Sequence, residues 1–74
     1  MTTEELIADF RKHNMIIPPS GLIRAAQLAR YLGVKMRCLE EWRRKSRPPR
    51  WLKLNGSVFH RAADVAKWLT DGTS

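Results

Sequence analysis

Apolar residues recur with a helical period at several places along this 74-residue chain and alternate at another. Leu6, Ile7 and Phe10 form a narrow stripe. Ahead of it stand Thr2 and, three residues on, Glu5, a pair that closes the free N–H groups of a helix start. Glu4 and Glu5 also suit the positive end of a helix dipole. The pattern predicts a helix over about Thr3–His13. Pro18 and Pro19 then force extended backbone on themselves and on Ile17. Met15–Gly21 therefore reads as a linker, apolar enough to lie against the domain.

From Ala25 the positions Ala25, Leu28, Ala29 and Leu32 follow the i, i+3, i+4, i+7 spacing of an amphipathic helix, which Gly33 ends by supplying left-handed backbone. Leu39 and Trp42 mark one face of a second helix over about Lys35–Lys45. Glu40–Arg44 and Glu41–Lys45 are each spaced i, i+4 with the acid first, the favourable order. Pro48-Pro49 forbids further helix.

Trp51–His60 alternates about Asn55-Gly56, the dipeptide that best tolerates the positive φ angles of a type I′ hairpin turn. A two-residue loop pairs Leu54 with Ser57, Lys53 with Val58, Leu52 with Phe59 and Trp51 with His60. Leu52, Leu54 and Phe59 then share the face expected to point inward. Ala62, Val65, Ala66 and Leu69 resume helical spacing. Trp42 and Trp68 are expected in the core. Helix, glycine turn, helix, hairpin and helix is the layout of a winged helix-turn-helix. The expected fold is mainly α with a small β-hairpin and an extra N-terminal helix. Its parts are an N-terminal helix and proline-containing linker (1–21), the winged domain (22–70) and a flexible tail (71–74).

Charge sharpens this layout. The chain has 14 Lys and Arg against 7 Asp and Glu, a net charge of +7 and a pI near 10.6. Residues 1–23 and 62–74 each carry net −1, whereas residues 24–61 hold eleven basic side chains against two acidic ones, net +9. A surplus confined to one stretch is the footprint of a polyanion-binding surface. One cysteine excludes a disulfide framework, and with two histidines excludes the usual structural zinc sites. No apolar run exceeds three residues, so no membrane span is expected. The acidic start is the wrong charge for a secretory or mitochondrial leader. There is no glycine-rich phosphate loop and no ordered nucleophile–base pair, so catalysis is not expected, nor is any cofactor or metal.

The run Ile23-Arg24-Ala25-Ala26-Gln27-Leu28-Ala29-Arg30-Tyr31-Leu32-Gly33-Val34 resembles the opening of MerR-like and excisionase-like DNA-binding domains. Leu39-Glu40-Glu41-Trp42-Arg43-Arg44-Lys45-Ser46-Arg47-Pro48-Pro49, followed by the hairpin with Val58-Phe59-His60, is similar to lambda-type phage excisionases. Ala63-Asp64-Val65-Ala66-Lys67-Trp68-Leu69 resembles the helix that follows in them. The likeness covers about residues 22–70 and leaves the first helix outside. Lys35 stands where the family often has a capping serine or threonine.

The resemblance implies that helix Lys35–Lys45 enters a major groove of double-stranded DNA. Lys35, Met36, Arg37 and Glu41 are then the candidates for base readout. Arg37 leads, because a guanidinium binds O6 and N7 of guanine at once. Glu41, four residues on, is placed to steer Arg37 or to accept from a cytosine amine. Cys38 reads as a small packing residue. Arg24, Arg30, Arg43, Arg44, Lys45, Arg47 and Arg50 are candidates for phosphate contacts, which position a protein without reading sequence. Lys53, Asn55 and Ser57 form the wing. Trp51 has three readings: packed under the first helix, against a neighbouring protomer, or on nucleic acid. His60 reads as structural or surface-lying.

The implied function is that of an excisionase, a recombination directionality factor. Copies bind adjacent sites cooperatively, bend DNA and direct a tyrosine integrase toward prophage excision, in the cytoplasm of a bacterial host at its nucleoid. Expected partners are DNA, the integrase and neighbouring copies, with no membrane and no small-molecule substrate. Three other readings stand beside it: a small phage transcription regulator of the Cox or AlpA-like kind, the DNA-binding part of a terminase small subunit, and a basic adaptor for an acidic protein.

Overall fold

The Thr2 hydroxyl accepts the Glu5 backbone N–H at 3.1 Å, and the Glu5 carboxylate accepts the Thr2 N–H at 2.8 Å. Helix α1 (Thr3–Lys12) thus opens on the complete capping box that Thr2 and Glu5 predict. The two backbone and hydroxyl bonds from Thr2 hold the exposed Glu5 carboxyl below its ordinary pKa. The structure, a computed structural model, describes residues 1–71. The chain continues through β1 (Leu22–Arg24), α2 (Ala25–Leu32), α3 (Met36–Arg44), β2 (Leu52–Leu54), β3 (Ser57–Arg61) and α4 (Ala62–Asp71). The architecture is mixed α/β, with four helices and one three-stranded antiparallel sheet among the described residues. Asp71 lies in α4 and not in a tail; residues 72–74 of the expected tail fall outside the described part.

Helices α1, α2 and α3 end the same way. The residue after each last turn adopts left-handed backbone: Asn14 at φ 60°, Gly33 at φ 74° and Ser46 at φ 56°. Its N–H bonds three residues back, and the next N–H five residues back: Asn14 to Arg11 and Met15 to Phe10, Gly33 to Arg30 and Val34 to Ala29, Ser46 to Arg43 and Arg47 to Trp42. This pairing satisfies carbonyls that the helix ends leave open.

The hairpin forms in the predicted register, Leu52 with Phe59, Lys53 with Val58 and Leu54 with Ser57, about Asn55 (φ 50°) and Gly56 (φ 80°). Trp51 stops short of β2, so its expected pairing with His60 does not form. His60 instead faces Ile23, because Leu22–Arg24 adds a strand on the far side of β3 and completes the order β1-β3-β2. That third strand reverses the inward face. Ile23 is fully buried and His60 is 1% exposed, with Val58 packed beside the core, whereas Leu54 is 42% exposed and Leu52 and Phe59 are only half-buried. Phe59 is sheltered under the guanidinium of Arg24, 5.9 Å from its ring centroid.

One core collects the inward residues of every helix: Leu6 and Phe10, Ala25, Leu28 and Ala29, Leu39, and Ala62, Val65, Ala66 and Trp68. Burying a phenylalanine such as Phe10 contributes about 1.5–3 kcal/mol. Its ring stacks on Tyr31 at 4.2 Å, and the Tyr31 hydroxyl donates to the Asp9 carboxylate. The first helix is therefore an integral part of the domain. The linker is held flat by Gln27, whose side-chain amide donates to the Ile16 carbonyl at 3.0 Å, with Met15 and Ile17 buried and Ile16 exposed. Trp42, half-buried, meets Trp68 edge to face with centroids 6.0 Å apart, which fixes α3 against α4.

Candidate nucleic-acid interface

Helix α3 is anchored on one side and bare on the other. Leu39 is 1% exposed and Trp42 rests on Trp68, so the side chains on the opposite side of the helix turn to solvent. Met36, Arg37, Glu40, Glu41 and Arg44 are all exposed, as is Lys35 at the N-cap. Lys35 makes no side-chain cap bond, as expected of a lysine there, and its charge stays free. Cys38 is half-buried, as a packing residue would be.

Glu41 meets its expected i, i+4 partner Lys45 and not Arg37. Its carboxylate lies 3.3 Å from Lys45 Nζ and 3.8 Å from an Arg44 nitrogen, one helical turn ahead. Neither Glu41–Arg37 nor Glu40–Arg44 forms among the described ion pairs. The two cations beyond Glu41, nearer the negative end of the helix, outcompete the single one behind it. Arg37 is left unpaired by Glu41 and outward.

The phosphate candidates divide between two places. Arg43, Arg47 and Arg50 come together, with Ser46, Pro48 and Trp51, around an open cleft of about 560 Å³ beside the C-terminal end of α3. Arg24 and Arg30 line a different groove of about 480 Å³ with Asn14, Met15, Ile16, Ala26 and Gln27. Arg44 and Lys45 sit outside both, occupied with Glu41. The wing residues Lys53, Asn55 and Ser57 are exposed at the hairpin tip.

His60 sets the position of the arginine loop. Its Nδ1–H donates to the Arg50 carbonyl at 2.8 Å, and the carbonyl's inability to donate fixes that tautomer. Nε2 is then a buried acceptor, and it has no hydrogen-bond partner. Burial pushes the His60 pKa below its ordinary value; the Arg50 carbonyl opposes this, the Arg43 charge adds to it, and Asp64 opposes it. Arg43 itself is half-buried, with its guanidinium 5.9 Å from the Trp51 ring centroid and its Nη1 buried without a partner.

One basic residue escaped the sequence reading of the site, and Trp51, which that reading left open between three places, has its own. Arg61 is exposed at the end of β3, and its place in the charge-rich stretch was the available signal. Trp51 belongs to the arginine cleft and is 43% exposed. Among the described residues, no three His, Cys, Asp or Glu side chains are grouped to hold a metal, and no helix is long and apolar enough to cross a membrane. No family model matches the chain, and no curated protein or solved structure matches it.

Proposed function

We propose that this chain is a sequence-specific double-stranded DNA-binding protein of the winged helix-turn-helix kind. In this reading α2 and α3 are the helix pair, α3 lies in the major groove, and the β2–β3 hairpin is the wing. The observation that carries it is the bare outer face of α3, where Lys35, Met36 and Arg37 stand exposed on a helix pinned by Leu39 and Trp42. The arginine cleft beside the C-terminal end of that helix and the exposed Lys53 near the hairpin tip supply further phosphate-binding charge in this reading.

The finer reading is an architectural one, supported by the likeness to lambda-type excisionases. The protein binds adjacent sites beside further copies, bends the DNA and directs a tyrosine integrase toward excision, working at the nucleoid of a bacterial host. A single DNA-binding module buries about 600–1,000 Å² of protein surface on DNA, and neighbours on the DNA add to it in this reading. Bending costs elastic energy that the added contacts offset.

The test is a titration of labelled duplex DNA at several salt concentrations. Affinity falls steeply and log-linearly with salt, because each neutralised phosphate releases counterions. No binding to any duplex, or affinity indifferent to salt, overturns the DNA reading. An integrase excision assay that runs equally well without the protein overturns the architectural one.

A further inference from the structure

The arginine cleft holds more chemistry than a phosphate contact requires. Its lining carries Arg43, Arg47 and Arg50 and no carboxylate; the nearby Glu41 is committed to Arg44 and Lys45. Three like charges gathered about one opening repel one another and favour an anion between them. Planar guanidinia match phosphate oxygens two at a time, and Arg47 and Arg50 stand exposed at the cleft.

The same cleft also displays an indole. Trp51 is 43% exposed, and its ring carries the Arg43 guanidinium 5.9 Å from its centroid. A phosphate alone gains nothing from an exposed indole, and an aromatic ligand alone gains little from three guanidinia. A nucleotide uses both, with its phosphate on the cations and its base against the ring. The loop that carries these groups is not free to drift, because the buried His60 holds it by the Arg50 carbonyl.

We propose that this cleft binds one unpaired nucleotide, its phosphate held by Arg47 and Arg50 and its base stacked on Trp51. The recognition is of a nucleoside monophosphate unit. Its two sources are a free nucleotide and a nucleotide displaced from a DNA strand. The second source rests on the DNA-binding reading above; the first does not.

The full chain, labelled with ¹⁵N, is titrated with deoxyadenosine monophosphate, with inorganic phosphate and with deoxyadenosine. The indole N–H signals of Trp42, Trp51 and Trp68 are followed. The nucleotide moves the Trp51 signal and binds about tenfold tighter than phosphate or nucleoside alone. Trp51→Ala and Arg47→Gln each remove that advantage, while Trp51→Phe retains most of it and controls for folding. Equal affinity for phosphate and nucleotide, or no movement of Trp51, overturns the proposal.

A second titration compares a perfect duplex with one bearing a single unpaired nucleotide. Several-fold preference for the bulged duplex, abolished by Trp51→Ala and retained by Trp51→Phe, supports the displaced-strand source. Free nucleotide binding without such a preference supports the free source. Nucleotide binding with no affinity for any duplex sinks the DNA reading and leaves the cleft standing. Duplex binding with a silent Trp51 does the reverse.

Discussion

His60 and Arg50 are joined through 2.8 Å from the imidazole Nδ1 to the backbone carbonyl, and this bond ties the arginine loop to the central strand of the sheet. The histidine is 1% exposed, and a second proton, taken up at the buried Nε2, finds no acceptor for the N–H it creates. Its pKa lies below the ordinary 6.5, so between the two values the unfolded chain binds more protons than the folded one. Stability from this group is complete above about pH 6.5 and declines as pH falls toward the folded pKa. Urea unfolding at steps between pH 5 and 8 shows the slope. His60→Ala flattens it and lowers stability by about 2 kcal/mol through the lost bond and the cavity.

Tyr31 behaves in the opposite sense. Burial, and then the hydrogen bond to and charge of Asp9, push its pKa up from 10.0 to about 12. The folded state keeps this proton while the unfolded state loses it, so stability is intact below pH 10 and is lost as pH rises toward 12. Tyr31→Phe leaves the ring stacked on Phe10 but removes the bond to Asp9, at a cost of about 1–2 kcal/mol. Denaturant midpoints at pH 7 give the cost. Comparison of the two proteins up to pH 11 gives the slope.

The shared helix ending makes two substitutions of opposite sign. Ser46 holds a left-handed φ of 56° with a Cβ attached, so Ser46→Gly stabilises by about 1 kcal/mol. Gly33 holds φ 74°, and a Cβ placed there meets nothing within 4 Å. Gly33→Ala therefore destabilises by about 1 kcal/mol through backbone conformation alone, with no clash to relieve. Thermal melts of both variants check the pair.

On the proposed DNA-binding reading, Arg37 and Lys53 separate reading from holding. Arg37→Ala loses about 1–3 kcal/mol of discrimination between the preferred site and a mismatched one while keeping most non-specific affinity. Lys53→Ala weakens binding on all sequences and reduces the slope of log affinity against log salt by about one. Competition titrations on paired duplexes distinguish the two. Equal loss on every sequence for Arg37→Ala removes its base-reading role.

Local chemistry was legible where one or two residues decide the backbone. Thr2 with Glu5 predicts the start of α1, Gly33 the end of α2, and Asn55-Gly56 the turn together with the register of Leu52–Leu54 against Ser57–Val58-Phe59. The inward face of that hairpin was not legible. Hydrophobicity favours Leu52, Leu54 and Phe59, but the choice belongs to Leu22–Arg24, a strand three residues long and too short to show a period. Once Ile23 pairs with His60, a polar residue takes the core position and Phe59 finds cover under Arg24 instead. The outer face of α3 followed from the spacing of Leu39 and Trp42. The cleft did not, because Ser46–Trp51 has no repeating pattern and its shape depends on a bond from a strand ten residues away in sequence.

The sheet has two free margins, Leu22–Arg24 and Leu52–Leu54, of three residues each. One bears Arg24 and the other Lys53, both exposed. Margins so short and so charged make poor templates for another chain's backbone. Copies crowded side by side are therefore discouraged from zipping into fibres.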